Sequence, residues 1–165
     1  MKINRFYNIS LLIIYFFFTN SVSFSDEWFT SSGNYNSLKY SKIKEINQNN
    51  VHNLETAWIF KNGFVPDQNS YFRNNNQATP IFTGNYLITT SLDGSIISLN
   101  PSNGKEIWRT KVSLPAAKRG LVYHEGNIYV PSGKGIYVLN EKDGSLNKKY
   151  GKDGLVSIRW DGTDK

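Results

Sequence analysis

Apolar and polar positions along this chain alternate in short runs. Stretches rich in Ile, Val, Tyr, Phe and Thr are cut every few residues by Gly, Asn, Asp and Pro, and helical periodicity is nearly missing after residue 53. That is the pattern of many short β-strands, in which successive side chains face opposite sides of a sheet. The runs predict strands at 55–60, 79–83, 86–91, 95–100, 107–112, 120–123, 127–131 and 135–140. Between them stand Gly84-Asn85, Asp93-Gly94, Asn103-Gly104, Gly126-Asn127 and Asp143-Gly144. Such dipeptides tolerate positive φ and close hairpins. The expected fold class is all-β.

The pattern also repeats. "GSIISLNPSNGKEIW", Gly94 to Trp108, overlays "KGIYVLNEKDGSLNK", Lys134 to Lys148, at an offset of 40 residues. Ile96 meets Ile136, Leu99 meets Leu139, Asn100 meets Asn140 and Gly104 meets Gly144. Upstream, "TGNYLITTS" resembles "EGNIYVPS" once a two-residue gap is allowed. A period of this size with about four strands in each unit predicts propeller blades. Trp108 falls on the outer strand of the first unit, where its ring, with roughly 150–250 Å² to bury, can cover the space between neighbouring sheets. In the second copy Lys148 holds the place of the Trp.

The remaining composition narrows the picture. Lys2 and Arg5, the apolar run "ISLLIIYFFF" and the small residues of Ser23-Phe24-Ser25 have the layout of a secretory signal peptide over residues 1–25, leaving a mature chain from Asp26. The run is shorter than the roughly 20 residues a transmembrane helix needs. Without Lys2 and Arg5 there are 17 basic against 13 acidic residues, so the net charge falls from +6 to +4. These charges are scattered and form no stripe that would hold nucleic acid. There is no cysteine, hence no disulfide framework and no thiolate metal site.

Candidate chemistry concentrates in "RGLVYHE", Arg119 to Glu125, which carries one of only two histidines. Considered one at a time, such polar residues are most often surface, as His52 and the Asn74-Asn75-Asn76 run are expected to be. A regular strand would put Arg119 and His124 on opposite faces, so Arg119 would act from the loop leading into the strand.

Three stretches together resemble the pyrroloquinoline quinone (PQQ) dehydrogenases, which are exported eight-bladed propellers. "LNPSNGKEIW" looks like their tryptophan-docking repeat. "YNSLKYSKIKEINQNNVHNLETAWIF", Tyr35 to Phe60, is similar to their lead-in segment. "RGLVYHE" resembles their Arg-Gly-x-x-Tyr-His-Glu stretch. The likeness covers nearly all of residues 28–158 and is nearest to the membrane-bound glucose dehydrogenases. It implies a lead-in at 26–53 and, over 54–165, a partial propeller: about two four-stranded blades plus a ring-closing strand at Ala57-Trp58. It also implies that Arg119 contacts the quinone and carboxylate end of PQQ, that His124 sits beside the substrate as a catalytic residue, and that Gln77 reaches the cofactor. These types suit an anionic quinone and a hydroxyl-bearing substrate: a forked, permanently charged guanidinium, a titratable imidazole, and an amide that adds no like charge.

In that family the catalytic Asp, the calcium ligands and the Trp floor under PQQ lie in later blades, with no counterpart here. The resemblance therefore implies the amino-terminal portion of a periplasmic PQQ- and calcium-dependent dehydrogenase of a sugar or alcohol, inactive alone and not expected to hold its cofactors by itself. Electrons would pass to a quinone or a separate carrier, since no C-x-x-C-H haem motif is present. Membrane association of the complete protein is compatible with the likeness. A non-catalytic propeller that binds proteins shares the docking repeat and is the alternative reading.

Overall fold

The computed structural model describes residues 27–63, 77–112, 120–133 and 135–158. Residues 1–25, expected to be a signal peptide, and Arg119 lie outside these residues. Two four-stranded antiparallel sheets follow one another along the chain, as the repeat predicts. The first consists of β1 (Ile81–Phe82), β2 (Leu87–Thr90), β3 (Ser95–Leu99) and β4 (Glu106–Lys111). The second consists of β5 (Val122–His124), β6 (Asn127–Ser132), β7 (Gly135–Asn140) and β8 (Leu155–Ser157). Each sheet is ordered sequentially and built from hairpins, so every strand pairs with its neighbour in sequence. This is the construction of propeller blades.

The 40-residue repeat extends to individual hydrogen bonds. Asn100 N–H donates to the Lys105 carbonyl at 2.8 Å, and Asn140 N–H to the Ser145 carbonyl at 2.8 Å. Gly104 N–H reaches the Asn100 carbonyl at 2.8 Å, and Gly144 N–H the Asn140 carbonyl at 2.9 Å. Lys105 N–H donates to Asn103 Oδ1 at 3.0 Å, as Ser145 N–H does to Asp143 Oδ1 at 2.9 Å. An Asx side chain thus organises both turns, and a glycine of positive φ closes each, at +67° and +69°.

The sheets face one another across a common core. Ile81, Ile88, Ile96 and Trp108 from the first meet Leu121, Ile128, Val130, Tyr137 and Leu139 from the second side. Trp108 is 8% exposed, and its indole N–H donates to the Glu141 carbonyl at 2.8 Å. Thr110 Oγ1 adds a bond to the Gly144 carbonyl at 2.7 Å. The outer strand of one sheet is thereby docked on a turn of the next, as expected of Trp108. Trp58 does the same one unit earlier. Its indole N–H donates to the Pro101 carbonyl at 3.0 Å, and its ring lies over Gly104.

The run at 55–60 forms no ladder with a described strand. One expectation changes: the place of the second-copy Trp is not Lys148. Register matches as far as Leu146, which bridges Leu139 as Glu106 pairs with Leu99. The chain then makes an excursion before β8, and Gly154 takes the slot beside Val138 that Trp108 takes beside Ser98. The excursion is pinned by Asn147 Nδ2 donating to Asn127 Oδ1 at 2.8 Å and by the Tyr150 ring meeting Tyr129 edge-on at 6.0 Å. Its polar "NKKYGKDG" hid the short β8 from the sequence pattern.

Candidate functional site at the end of β5

β5 and β6 are joined by Glu125-Gly126, both with positive φ, +45° and +76°. His124 pairs with Asn127 across this two-residue turn. Positive φ at both central residues matches the twist of a hairpin, which makes His124 the last residue of its strand. Asn127 Nδ2 steadies the turn by donating to the Glu125 carbonyl at 3.0 Å, and Glu141 N–H by donating to that of Gly126 at 2.9 Å. The imidazole consequently stands at a strand terminus with 55% of its side chain open to solvent.

The amino-terminal lead-in completes the surroundings. Trp28 exchanges two backbone hydrogen bonds with Phe82 of β1, both 2.8 Å. Two residues later Thr30 bridges Val122 of β5, and Tyr123 N–H donates to the Phe29 carbonyl at 2.9 Å. This strap runs antiparallel to the first strand of each sheet and ties the two together. A tight reversal at Thr30–Gly33, with Gly33 at φ +91° against the Trp28 ring, turns the chain back. Tyr35 then lies over the end of β5. Its hydroxyl donates to the Tyr123 carbonyl at 2.8 Å and stands 3.3 Å from His124 Nδ1, with the two rings edge-on at 6.3 Å. Phe29 packs against both Tyr35 and Tyr123, at centroid distances of 6.4 and 5.3 Å. His124 Nε2 lies 3.8 Å from Glu125 Oε1, a loose and exposed pairing. Burial first, and then the negative charge of Glu141, push the Tyr123 hydroxyl above its ordinary pKa.

Of the three residues singled out from sequence, Gln77 and His124 are described. Gln77 is exposed and leads into β1, whereas His124 ends β5. Because the strap runs antiparallel to both strands, β1 and β5 point the same way, and the two residues stand at opposite ends of equivalent strands. β5 begins at Val122, which leaves Gly120 and Leu121 as lead-in to it. Tyr35 is the residue that sequence reasoning missed. It lies 89 positions from His124, and no local pattern links them.

Elsewhere, a cavity of about 340 Å³ lies beside the β5–β6 turn, lined by Gly126, Asn140, Glu141, Lys142 and Asp143. Neither Gln77 nor His124 lines it. Among the described residues no group of three or more His, Asp and Glu could hold a metal ion. The described groups do not form a cradle for PQQ by themselves. The polar groups around His124 are exposed, and Gln77 is at the other end of its strand.

Comparison with known proteins adds the family context. Residues 28–165 match the family model described as "PQQ: Glucose/ethanol/alcohol dehydrogenase, beta-propeller domain". Quinoprotein glucose dehydrogenase A of Acinetobacter calcoaceticus is 26% identical over 152 residues, 74% of this chain and 19% of that protein. Quinoprotein glucose dehydrogenase of Escherichia coli (strain K12) is 26% identical over 156 residues, 81% of this chain and 20% of its own length. The glycerol dehydrogenase large subunit of Gluconobacter thailandicus is 31% identical over 115 residues, 66% of this chain and 15% of that one. The chain thus spans about a fifth of the length of the curated relatives it matches.

Proposed function

The chain belongs to the PQQ-dependent glucose/ethanol/alcohol dehydrogenase β-propeller family, and from that premise we propose that it forms the amino-terminal part of an exported quinoprotein dehydrogenase that oxidises a hydroxyl group of a sugar or alcohol. The observation that carries this reading is the pair of consecutive sheets locked by Trp108 on the Glu141 turn, within a stretch that matches the family from residue 28 onward. The signal-like segment at 1–25 supports export to the periplasm.

In the complete protein PQQ supplies the two-electron acceptor and calcium its Lewis acid. The part assigned to this chain is narrower. Arg119 binds the anionic end of the cofactor, Gln77 donates an amide hydrogen bond to it, and His124 holds the substrate hydroxyl. The chain alone is inactive. Large apolar side chains along the lead-in and at its far edge, Leu38 at 63%, Tyr40 at 66%, Ile59 at 79% and Ile158 at 59% exposed, support a surface that further protein covers.

The test is to express the complete reading frame, load it with PQQ and Ca²⁺, and follow reduction of an artificial electron acceptor with sugars and alcohols. PQQ-dependent oxidation is expected, with His124→Ala lowering kcat/KM about 10²-fold or more, the lower range for loss of a positioned acid–base group. No PQQ-dependent turnover with any hydroxyl substrate would overturn the reading in favour of a protein-binding propeller.

A further inference from the structure

The hydrogen bonds around Tyr35 determine which nitrogen of His124 carries the proton. A carbonyl oxygen can only accept, so the single phenolic proton of Tyr35 goes to the Tyr123 carbonyl at 2.8 Å. At 3.3 Å the hydroxyl oxygen also faces His124 Nδ1, and that contact needs a hydrogen of its own. Both distances lie within hydrogen-bond range, and the shorter one marks where the hydroxyl proton resides. The remaining hydrogen must come from the imidazole. Nδ1–H therefore donates into a lone pair of the Tyr35 oxygen, and in the neutral ring Nε2 is left without a proton.

Tyr35 is well held for this task. Its ring packs on Phe29, whose carbonyl accepts the Tyr123 N–H at 2.9 Å. Phe29 in turn sits between the two points, Trp28 and Thr30, at which the strap bridges β1 and β5. The same strap that joins the sheets thus sets the hydroxyl over the end of β5. Among the described residues, the charged group brought near Nε2 is Glu125, at 3.8 Å and 84% exposed, a pairing too loose and too solvated to hold the proton on Nε2 against the Tyr35 contact.

We propose that Tyr35 is a positioning residue that holds His124 as its Nδ1–H tautomer, so that Nε2 faces outward as a hydrogen-bond acceptor for the substrate hydroxyl. This rests on the reading of His124 as a substrate contact. An orienting partner on one ring nitrogen fixes the role of the other, as it does for histidines in metal sites. The inference also explains why a tyrosine serves here where phenylalanine would pack equally well, since only the hydroxyl can both give a proton to Tyr123 and receive one from His124.

The tautomer can be read directly from ¹⁵N shifts of ring-labelled histidine in the protein at about pH 8–9. Subtracting the spectrum of His124→Gln identifies the two nitrogens of interest; His52 is the other histidine of this chain. The bare-nitrogen shift should fall on Nε2. In Tyr35→Phe the ratio of the two tautomers should move toward Nε2–H by about fivefold, the worth of one ordinary hydrogen bond. An Nε2–H ring in the unsubstituted protein, or an identical ratio in Tyr35→Phe, overturns the positioning role; the first of these needs no variant to fold. In the loaded enzyme Tyr35→Phe should lower kcat/KM in the same direction as His124→Ala and by less. A fixed tautomer alongside full activity in His124→Ala would overturn the substrate role of His124 and leave the tautomer assignment standing.

Discussion

Among the described residues a tryptophan docks on a repeat turn twice, and the two dockings are not equivalent. Trp108 sits on the Glu141–Gly144 turn with its ring in the core between two sheets, and Thr110 adds a second bond to the same turn. Trp58 sits on the Pro101–Gly104 turn with a comparable indole bond, but it is half-buried and comes from a segment that no described strand pairs with. The turns are nearly superimposable in their hydrogen bonds. The difference lies in what stands behind the ring. A docked tryptophan stabilises in proportion to the apolar area it removes from water, so the same local motif is worth more where a second sheet closes over it.

Replacing each ring is the most direct way to break this comparison. Trp108→Ala should cost about 3–5 kcal/mol, the range for emptying a buried aromatic site, read as a shift in the urea midpoint. Trp58→Ala should cost about 1–2 kcal/mol, because less area is lost and solvent already reaches the ring. Equal losses would mean that the turn, not the second sheet, sets the stability of a docking.

The glycines under the rings sharpen the same point from the other side. A Cβ on Gly144 would collide with the Trp108 ring and stand 2.6 Å from Thr110 Oγ1, at a φ of +69°. Gly144→Ala should therefore destabilise by about 1–3 kcal/mol, the range for overpacking a fixed site. The matching Cβ on Gly104 also meets its ring, but the half-exposed Trp58 can tilt away. Gly104→Ala should cost about 1 kcal/mol, mostly the penalty for a side chain at positive φ.

The smallest effect concerns acid. Asp93-Gly94-Ser95 and Asp143-Gly144-Ser145 are the same motif, each with the Ser N–H and hydroxyl donating to the Asp carboxylate. At Asp93 burial pushes the pKa up, but the Ser95 and Ser91 bonds and Lys111 outweigh it and leave it lowered. At Asp143 the Ser145 hydroxyl and N–H lower it. A carboxylate with a depressed folded pKa stabilises above its unfolded pKa, and that stability is lost as pH falls through the folded value. Stability should thus be level above the ordinary carboxylate value of 3.8 and decline below it. Asp93→Asn should flatten that decline in an acid titration followed by circular dichroism. An unchanged slope would mean that the carboxylates bond equally well in the unfolded chain.

The strands and turns were legible because their causes are local. Alternation of apolar residues, the Asx side chain that closes a turn and the glycine that takes its positive φ all act within a dozen residues, so β1 to β7 and the 40-residue repeat could be read directly. The short β8 could not, since three residues after a polar excursion carry no periodicity and gain their place only by pairing with β7. The same limit applies to the site. His124 drew attention through its motif, but its partner Tyr35 lies 89 residues away and reaches it because the strap crosses from β1 to β5. What this sequence determined by itself is the set of hairpins and the turns that dock tryptophan. The tertiary structure alone decided which ring is buried, that Gly154 fills the second tryptophan slot, and which hydroxyl faces His124, because each depends on surfaces meeting that are distant in sequence.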